Sequence, residues 1–292
     1  MRPIPRFIAK LVVLMFAGLA LSVMAKEKPE ITPLWPGDEP KSKATISVHL
    51  PDHPNGAAVI ICPGGSYGMI VAGPEGHGIA KWLNANGITG IVLSYELPMG
   101  RPEVPLADAQ RAIRTARANA KEWGIDPDRI GIMGFSAGGH LASTAGTHFD
   151  LGNKDAKDPV ERESCRPDFM VLVYPVISMG EKAHKGSRNR LLGKNPTDEL
   201  IQKYSSELQV TKDTPPAYLA HAQDDTVVVP DNSKMFHEAC KKHGVDSRYL
   251  ELPSGGHGLN RYQGEMWNAW QAGSLKWLAE IKMIPKQAGG NH

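Results

Sequence analysis

The sequence predicts a single doubly wound α/β domain, with a mostly parallel central sheet and helices on both faces. Short apolar runs alternate with segments in which apolar residues recur at helical spacing. Continuous apolar runs of this length are typical of strands buried on both faces of a parallel sheet. Because the alternation continues to the last predicted helix, we expect one domain over residues 44–284.

Strands are predicted at seven runs, which are Thr45–Leu50, Ala57–Cys62, Gly90–Tyr95, Arg129–Phe135, Phe169–Tyr174, Ala217–Ala222 and Arg248–Leu252. Between the third and fourth runs, apolar residues of segment 106–123 fall on one helical face. Arg111, Arg114 and Arg117 then fall mostly on the opposite face, where we expect solvent.

The first 25 residues have the three parts of a secretory signal peptide. Arg2, Arg6 and Lys10 give a positive start, residues 11–23 are apolar, and small residues near Ala25 offer a cleavage site. The apolar run is shorter than the roughly 18 residues of a membrane span, although an uncleaved anchor is the alternative. We therefore expect a periplasmic or secreted protein, cleaved near Ala25, with no membrane span after cleavage.

The rest of the chain shows no second domain and no basic partner surface. The formal net charge is +2, and loss of the three positive signal residues leaves −1, so a nucleic-acid partner is not expected. Residues 26–43 predict an extended lead-in and residues 285–292 a C-terminal tail. The charged, glycine-containing stretch 176–215 predicts a short cap-like insertion. Cys165 and Cys240 could pair in an oxidising compartment.

The motif Gly134-Phe135-Ser136-Ala137-Gly138 follows a predicted strand directly and precedes a helix-compatible run of small residues. This G-x-S-x-G context predicts a nucleophile elbow, a sharp strand-to-helix turn that presents one serine hydroxyl above the sheet. A serine hydroxyl is a weak nucleophile at neutral pH and needs a neighbouring base, which in turn needs an orienting acid. Ser136 is therefore the candidate nucleophile.

The candidate acid and base follow the serine in chain order. Asp224 and Asp225 come directly after a predicted strand, and His257 lies in a glycine-rich loop after the next one. The carboxyl ends of parallel strands meet at the same edge of a sheet, so both loops are expected near Ser136. Only one aspartate can face the histidine, and the pattern that begins at His221 favours Asp225.

The loop Pro63-Gly64-Gly65 follows a buried strand early in the chain. Glycines let backbone N–H groups approach a substrate closely, and such donors stabilise the oxyanion of acyl transfer. Gly64 and Gly65, together with the amide of Ala137, are the candidate oxyanion hole. A plain turn is the alternative, and a phosphate-binding loop is disfavoured because no Gly-Lys-Ser/Thr follows.

Together these motifs resemble the α/β-hydrolase superfamily, and within it the bacterial acetyl xylan esterase and feruloyl/acetyl esterase-like group. The resemblance implies an α/β-hydrolase fold. It implies neither a metal nor an organic cofactor. It implies Ser136 as nucleophile, His257 as base and then acid, and Asp225 as its orienter. Gly65 and Ala137, with Gly64, would be the oxyanion donors.

The expected function is that of an exported serine carboxylesterase acting through an acyl-enzyme. By the resemblance, it removes acetyl or similar small acyl groups from plant or algal polysaccharide such as xylan, with an acylated poly- or oligosaccharide as partner. Two alternatives stay open at this point. One is a feruloyl esterase or serine peptidase on the same fold, and the other is a non-catalytic carbohydrate-binding protein.

Overall fold

The structure is a computed structural model that describes residues 30–37 and 42–286. The predicted signal segment, residues 1–25, lies outside the described residues. Within them, eight strands form one sheet, and their bounds are β1 (Ile31–Pro33), β2 (Thr45–His49), β3 (Ala58–Cys62), β4 (Thr89–Ser94), β5 (Ile130–Phe135), β6 (Met170–Val173), β7 (Ala217–Ala222) and β8 (Ser247–Leu252). All seven predicted strands are present.

The sheet has the order β1-β2-β4-β3-β5-β6-β7-β8. β1 and β2 run antiparallel to their neighbours, and the pairs from β4 to β8 are parallel. The predicted mostly parallel α/β fold is therefore confirmed. Only β1 was not predicted as a strand, because its three residues are all exposed and carry no apolar pattern.

The helices connect the strands, and their bounds are α1 (Gly78–Ala85), α2 (Glu103–Ala118), α3 (Ala120–Trp123), α4 (Ala137–Thr147), α5 (Lys185–Leu192), α6 (Asp198–Lys203), α7 (Asp231–Lys242), α8 (Leu259–Tyr262) and α9 (Gly264–Glu280). Alternate residues of β3 enter two separate cores. Ile60 packs in the core that contains residues of α2, α4 and α7, whereas Ile61 packs in the core that contains residues of α1 and α9. Helices therefore cover both faces of the sheet. Within the described residues, no helix is long and apolar enough to cross a membrane.

The expected solvent face of α2 is wrong for two of its arginines. The side chains of Arg111 and Arg114 are buried, and segment 149–168 brings acidic partners over them. Arg111 contacts Asp158 and Glu161, and its guanidinium also lies over the Trp35 ring. Helical spacing could not predict this burial, because the acidic residues come from a distant part of the chain.

The segment 176–215 contains two short helices, α5 and α6, and the 3₁₀ turn Ser206–Leu208. Its start is tied to α7, since the side-chain oxygen of Asn232 accepts from the amides of Ile177 and Ser178. The described cysteines are buried free thiols, so Cys165 and Cys240 do not pair.

Candidate active site

Ser136 occupies a strained turn between β5 and α4. Its φ is 53° and its ψ is −120°, a conformation that a non-glycine residue adopts only when the surroundings impose it. Both backbone groups are held by the end of β6: the Ser136 amide donates to the Val173 carbonyl, and its carbonyl accepts from Val176. The elbow predicted from the motif is therefore present.

The glycines around Ser136 are required by close backbone contacts. A Cβ on Gly134 would lie 2.0 Å from the carbonyl oxygen of Gly138, and one on Gly138 would lie 2.0 Å from that of Cys62. Real Cβ atoms do not approach backbone oxygens this closely. The G-x-S-x-G spacing is thus explained by the packing of β5, α4 and the end of β3.

Ser136, His257 and Asp225 form one chain of hydrogen bonds. The His257 Nε2 lies 2.9 Å from the Ser136 Oγ, and its Nδ1 lies 2.7 Å from the Asp225 Oδ2. With Nδ1–H donating to the carboxylate, Nε2 is free to accept the serine proton. The three residues come from β5–α4, the loop after β7 and the loop after β8.

Asp225 is the carboxylate that faces the histidine. Burial raises its pKa, but hydrogen bonds from His221 and His257 and from the Val228 amide more than offset this and leave the pKa well below the usual range. Its neighbour Asp224 is exposed and accepts from the amides of Gly255 and Gly256. The two adjacent acids therefore differ in role, because one orients the imidazole and the other braces the loop that carries it.

The predicted oxyanion loop lies beside Ser136, but the prediction that Gly64 is one of its free donors is wrong. The amide of Gly64 donates to the Glu75 Oε2 at 2.7 Å, so it is not free to bind an oxyanion. Within the described part of the chain, the amides of Gly65 and Ala137 donate to no other group. Ala137 is the first residue of α4, where helical amides have no partner in the helix. The geometry leaves Gly65 and Ala137 as the donors.

Gly65 adopts a conformation that glycine favours. Its φ is +126°, and a Cβ there would lie 2.2 Å from the Met69 carbonyl oxygen. Tyr67, two residues further along the loop, is bonded to α4, since its buried hydroxyl donates to the Nδ1 of His140. His140 donates in turn from Nε2 to the Tyr204 carbonyl. The candidate oxyanion loop is thus fixed to α4 and to the insertion.

Sequence reasoning missed Glu75 and Tyr174. Glu75 is buried in the turn Gly73–His77, where its Oε1 accepts from the Tyr174 hydroxyl at 3.0 Å. The Tyr174 ring packs on His257, with ring centroids 4.9 Å apart. No signal marks Glu75 in the sequence, because an acid in a glycine- and proline-rich loop is normally a surface residue.

The described side chains form no group of three or more His, Cys, Asp or Glu that could bind a metal ion. A cleft of about 510 Å³ lies beside the candidate oxyanion loop, between Tyr67, Gly68, Met99 and the α5 residue Arg190. A larger surface cavity of about 650 Å³ lies between Trp82 and α9, away from the three residues.

Comparison with known proteins finds ester hydrolases among the relatives of this chain. A crystal structure of an acetyl ester-xyloside bifunctional hydrolase from Caldicellulosiruptor lactoaceticus superposes with a TM-score of 0.84 and 41% identity, covering 88% of this chain and 98% of that one. Acetylxylan esterase of Xylanibacter ruminicola is 37% identical over 246 residues, which are 82% of this chain and 48% of that protein. Endo-1,4-beta-xylanase B of Butyrivibrio fibrisolvens is 37% identical over 219 residues, which are 74% of this chain and 34% of that protein.

The chain thus spans half or less of the length of these two relatives. A carboxylesterase from Lactobacillus plantarum, Cest-2923, has the same fold, with a TM-score of 0.73 and 25% identity over 90% of this chain and 100% of that one. The family model described as BD-FAE matches residues 81–240, which include Ser136 and Asp225. The resemblance to acetyl xylan esterases is confirmed, and the chain belongs to the BD-FAE family of the α/β-hydrolase fold.

Proposed function

We propose that this protein is an exported serine carboxylesterase that removes acetyl groups from xylan-type polysaccharide. The observation that carries the proposal is the unbroken hydrogen-bond chain from the Ser136 Oγ through His257 to Asp225, beside two unpaired backbone amides. A non-catalytic carbohydrate-binding protein needs neither this chain nor a strained serine. The arrangement therefore favours catalysis over binding alone.

In the proposed mechanism, His257 Nε2 takes the proton of the Ser136 hydroxyl as its oxygen attacks the acyl carbon. The carbonyl oxygen becomes an oxyanion, which the amides of Gly65 and Ala137 bind. The leaving sugar oxygen takes the proton from His257, and an acyl-enzyme remains on Ser136. A water molecule then gives one proton to His257 and attacks the acyl carbon, which forms a second oxyanion at the same amides. When this intermediate collapses, the bond between the acyl carbon and the Ser136 Oγ breaks, His257 returns the proton to the Oγ, and the carboxylic acid leaves.

The acyl group and the substrate class are proposed from the relatives. Two of them are named for acetyl ester chemistry on xylan or xylosides, and a third is a xylanase. The cleft of about 510 Å³ beside Tyr67 and Gly68 adjoins the candidate oxyanion loop, and it offers space for a saccharide residue of the substrate.

The direct test is hydrolysis of an acetyl chromogenic ester by the wild type, by Ser136→Ala and by Ser143→Ala as a matched control. Ser143 is a buried serine on the same helix that bonds to Ser206 and not to His257. We expect Ser136→Ala to lose activity by a factor of about 10⁴ or more, and Ser143→Ala to retain it. Equal activity of Ser136→Ala and wild type contradicts the mechanism.

Feruloyl esterase activity is the second candidate, because the BD-FAE family and the acetyl xylan esterases share this fold. The comparison to make is acetate against ferulate released from acetylated and from feruloylated xylan by the same enzyme preparation. Acetate release alone supports the acetyl proposal, and faster ferulate release overturns it. Export is tested by N-terminal sequencing of the mature protein, which we expect to begin near Lys26.

A further inference from the structure

Glu75 is a buried acid that the mechanism above does not use. It lies in the turn Gly73–His77, one strand away from the elbow, and is only 3% exposed. Among the described residues no lysine or arginine forms an ion pair with it. A buried carboxyl without a cation is costly, so its retention calls for a reason.

Three hydrogen-bond donors converge on the Glu75 carboxyl. The Gly64 amide donates to Oε2, the Tyr174 hydroxyl donates to Oε1, and the Tyr262 side chain forms a further hydrogen bond. An ionised carboxylate accepts from all three, which satisfies every polar group of the cluster. Burial raises the Glu75 pKa above its ordinary value, and these bonds and the nearby His257 offset only part of that rise.

The Gly64 contact links Glu75 to the nucleophile. A Cβ on Gly64 would meet the Glu75 Oε2 at 2.8 Å on one side, and the Phe135 carbonyl oxygen and the Ser136 Cβ at 2.8 and 3.1 Å on the other. Gly64 is therefore wedged between the carboxylate and Ser136. Because Gly65 follows directly, the position of its free amide depends on this bond.

The Tyr174 contact links Glu75 to the base. Tyr174 ends β6 in a left-handed conformation, with φ of 37°, and its ring is fully buried against the imidazole of His257. A hydroxyl bonded to Glu75 prevents this ring from turning away. The Glu75 carboxylate thus bonds to Gly64, which belongs to the candidate oxyanion loop, and to Tyr174, which packs on the general base His257.

We propose that Glu75, as a carboxylate, is a positioning residue of the proposed esterase: it holds the Gly64–Gly65 loop against Ser136, holds the Tyr174 ring against His257, and stabilises the His257 imidazolium by its charge. This inference rests on the proposed function. The imidazolium forms in each step in which His257 carries the transferred proton, so a nearby negative charge lowers the energy of those steps.

The effect of the Glu75 charge on the His257 imidazolium can be distinguished from the effects of the other groups near His257. The titratable and charged groups around the imidazole are Asp225 on the β7 side, Tyr174 at the end of β6, His184 in the insertion, and Glu75. Glu75 itself faces Tyr174, Tyr262, His257 and Tyr95. Of these groups only Asp225 and Glu75 are carboxyl groups, and of the two only Asp225 forms a hydrogen bond with the imidazole.

The test is the pH dependence of kcat/KM for an acetyl ester, together with the rate of labelling by a fluorophosphonate, in wild type and Glu75→Gln. Glutamine keeps the shape and an acceptor for Gly64 but removes the charge. We expect kcat to fall about tenfold with little change in KM, and the acid limb to move to lower pH by about half a unit. The shift is downward because loss of a negative neighbour disfavours the imidazolium.

Two matched variants separate charge from shape. Glu75→Asp keeps the charge but is one methylene too short to reach Gly64, so we expect a lower kcat with an acid limb near that of the wild type. Asp108→Asn removes another buried carboxylate, which belongs to α2 and accepts from Trp35 and Ser42. It should lower the Tm without moving the acid limb.

Glu75→Gln with wild-type kcat and an unmoved acid limb overturns the inference. So does a loss of activity that follows the folded fraction at every pH. If Glu75→Gln does not fold, Tyr174→Phe removes one donor and keeps the ring, and an unchanged labelling rate then overturns it. A wild type that neither hydrolyses the ester nor reacts with the fluorophosphonate instead overturns the proposed function and the inference with it.

Discussion

The candidate active site and the arginine face of α2 both bury charged side chains, but they do so in opposite ways. We call the first region, which contains Glu75, Ser136, Tyr174, Asp225 and His257, the catalytic edge. At the catalytic edge, Glu75 and Asp225 are buried with hydrogen-bond donors and no lysine or arginine among the described residues. On the arginine face, defined by Arg111, Arg114 and Arg117, each guanidinium contacts a carboxylate.

The two regions also differ in their backbone, which is strained at the catalytic edge and regular in α2. Ser136 and Tyr174 have positive φ at the catalytic edge, whereas α2 is a regular helix of 16 residues. Strained backbone and uncompensated charge reduce stability, and they persist where surrounding contacts impose them. The comparison indicates that the edge is arranged for chemistry and the arginine face for cohesion. Substitutions should therefore affect activity at the first and stability at the second.

The largest effect is expected from the two adjacent aspartates. Asp225→Asn replaces the carboxylate that holds the His257 tautomer with a neutral amide, which can donate to the imidazole and favour the wrong tautomer, so kcat should fall by a factor of about 10⁴. Asp224→Asn leaves the triad geometry intact and removes only a brace for the His257 loop, so its loss should stay below about tenfold. Steady-state kinetics on an acetyl ester compares the two, and equal losses would contradict the assignment of Asp225.

The next effect concerns the candidate oxyanion loop. Gly65→Ala places a Cβ against the Met69 carbonyl at a φ that alanine disfavours, so the amide must move and kcat should fall about 10²-fold. Gly73→Ala is the matched control, because a Cβ there meets no atom within 4 Å. Measured kcat values decide the point. A Gly65→Ala enzyme that is as active as Gly73→Ala would exclude Gly65 as an oxyanion donor.

On the arginine face we expect loss of stability without loss of activity. Arg114→Gln removes a buried guanidinium, and Asp150 loses its ion-pair partner. We expect this substitution to lower the free energy of unfolding by about 2 kcal/mol. Arg101→Gln, which breaks a surface pair with Glu96, should cost less than about 1 kcal/mol. Urea unfolding measures both, and kcat of the folded protein should stay unchanged. A large fall in kcat for Arg114→Gln would break the comparison.

The smallest effect, taken over one pH unit, is the pH dependence of stability that His140 introduces. Burial lowers the pKa of His140 from 6.5 to about 4, with the Tyr204 hydrogen bond acting in the opposite direction. Between these values the unfolded chain binds a proton that the folded protein does not. This contribution is therefore fully present above pH 6.5 and is lost as the pH falls towards 4, by about 1.4 kcal/mol per pH unit at most.

Urea unfolding at several pH values, for the wild type and His140→Gln, tests this dependence. The difference in free energy of unfolding between the two proteins should shrink on acidification. A constant difference from pH 7 to pH 5 would show that His140 titrates alike in the folded and unfolded chain.

The sequence predicted the strands and the three residues that the structure brings together, because those signals are local. A buried strand is a run of apolar residues, and Ser136 and Asp225 each follow such a run, whereas His257 follows the mixed polar and apolar strand β8. The parallel sheet then places them at one edge. Prediction failed where a distant segment decides the outcome, as for Arg111 and Arg114 beneath segment 149–168.

The sequence by itself determined the fold, the elbow around Ser136 and the order of acid and base, since glycine spacing and apolar periodicity are properties of neighbouring residues. The sequence pattern favoured Asp225 over Asp224, but only the tertiary structure shows that Asp225 faces His257 and that the Gly64 amide is bonded to Glu75. These choices depend on which side of a loop a group faces and on what packs there. Both are set by contacts between residues far apart in the chain.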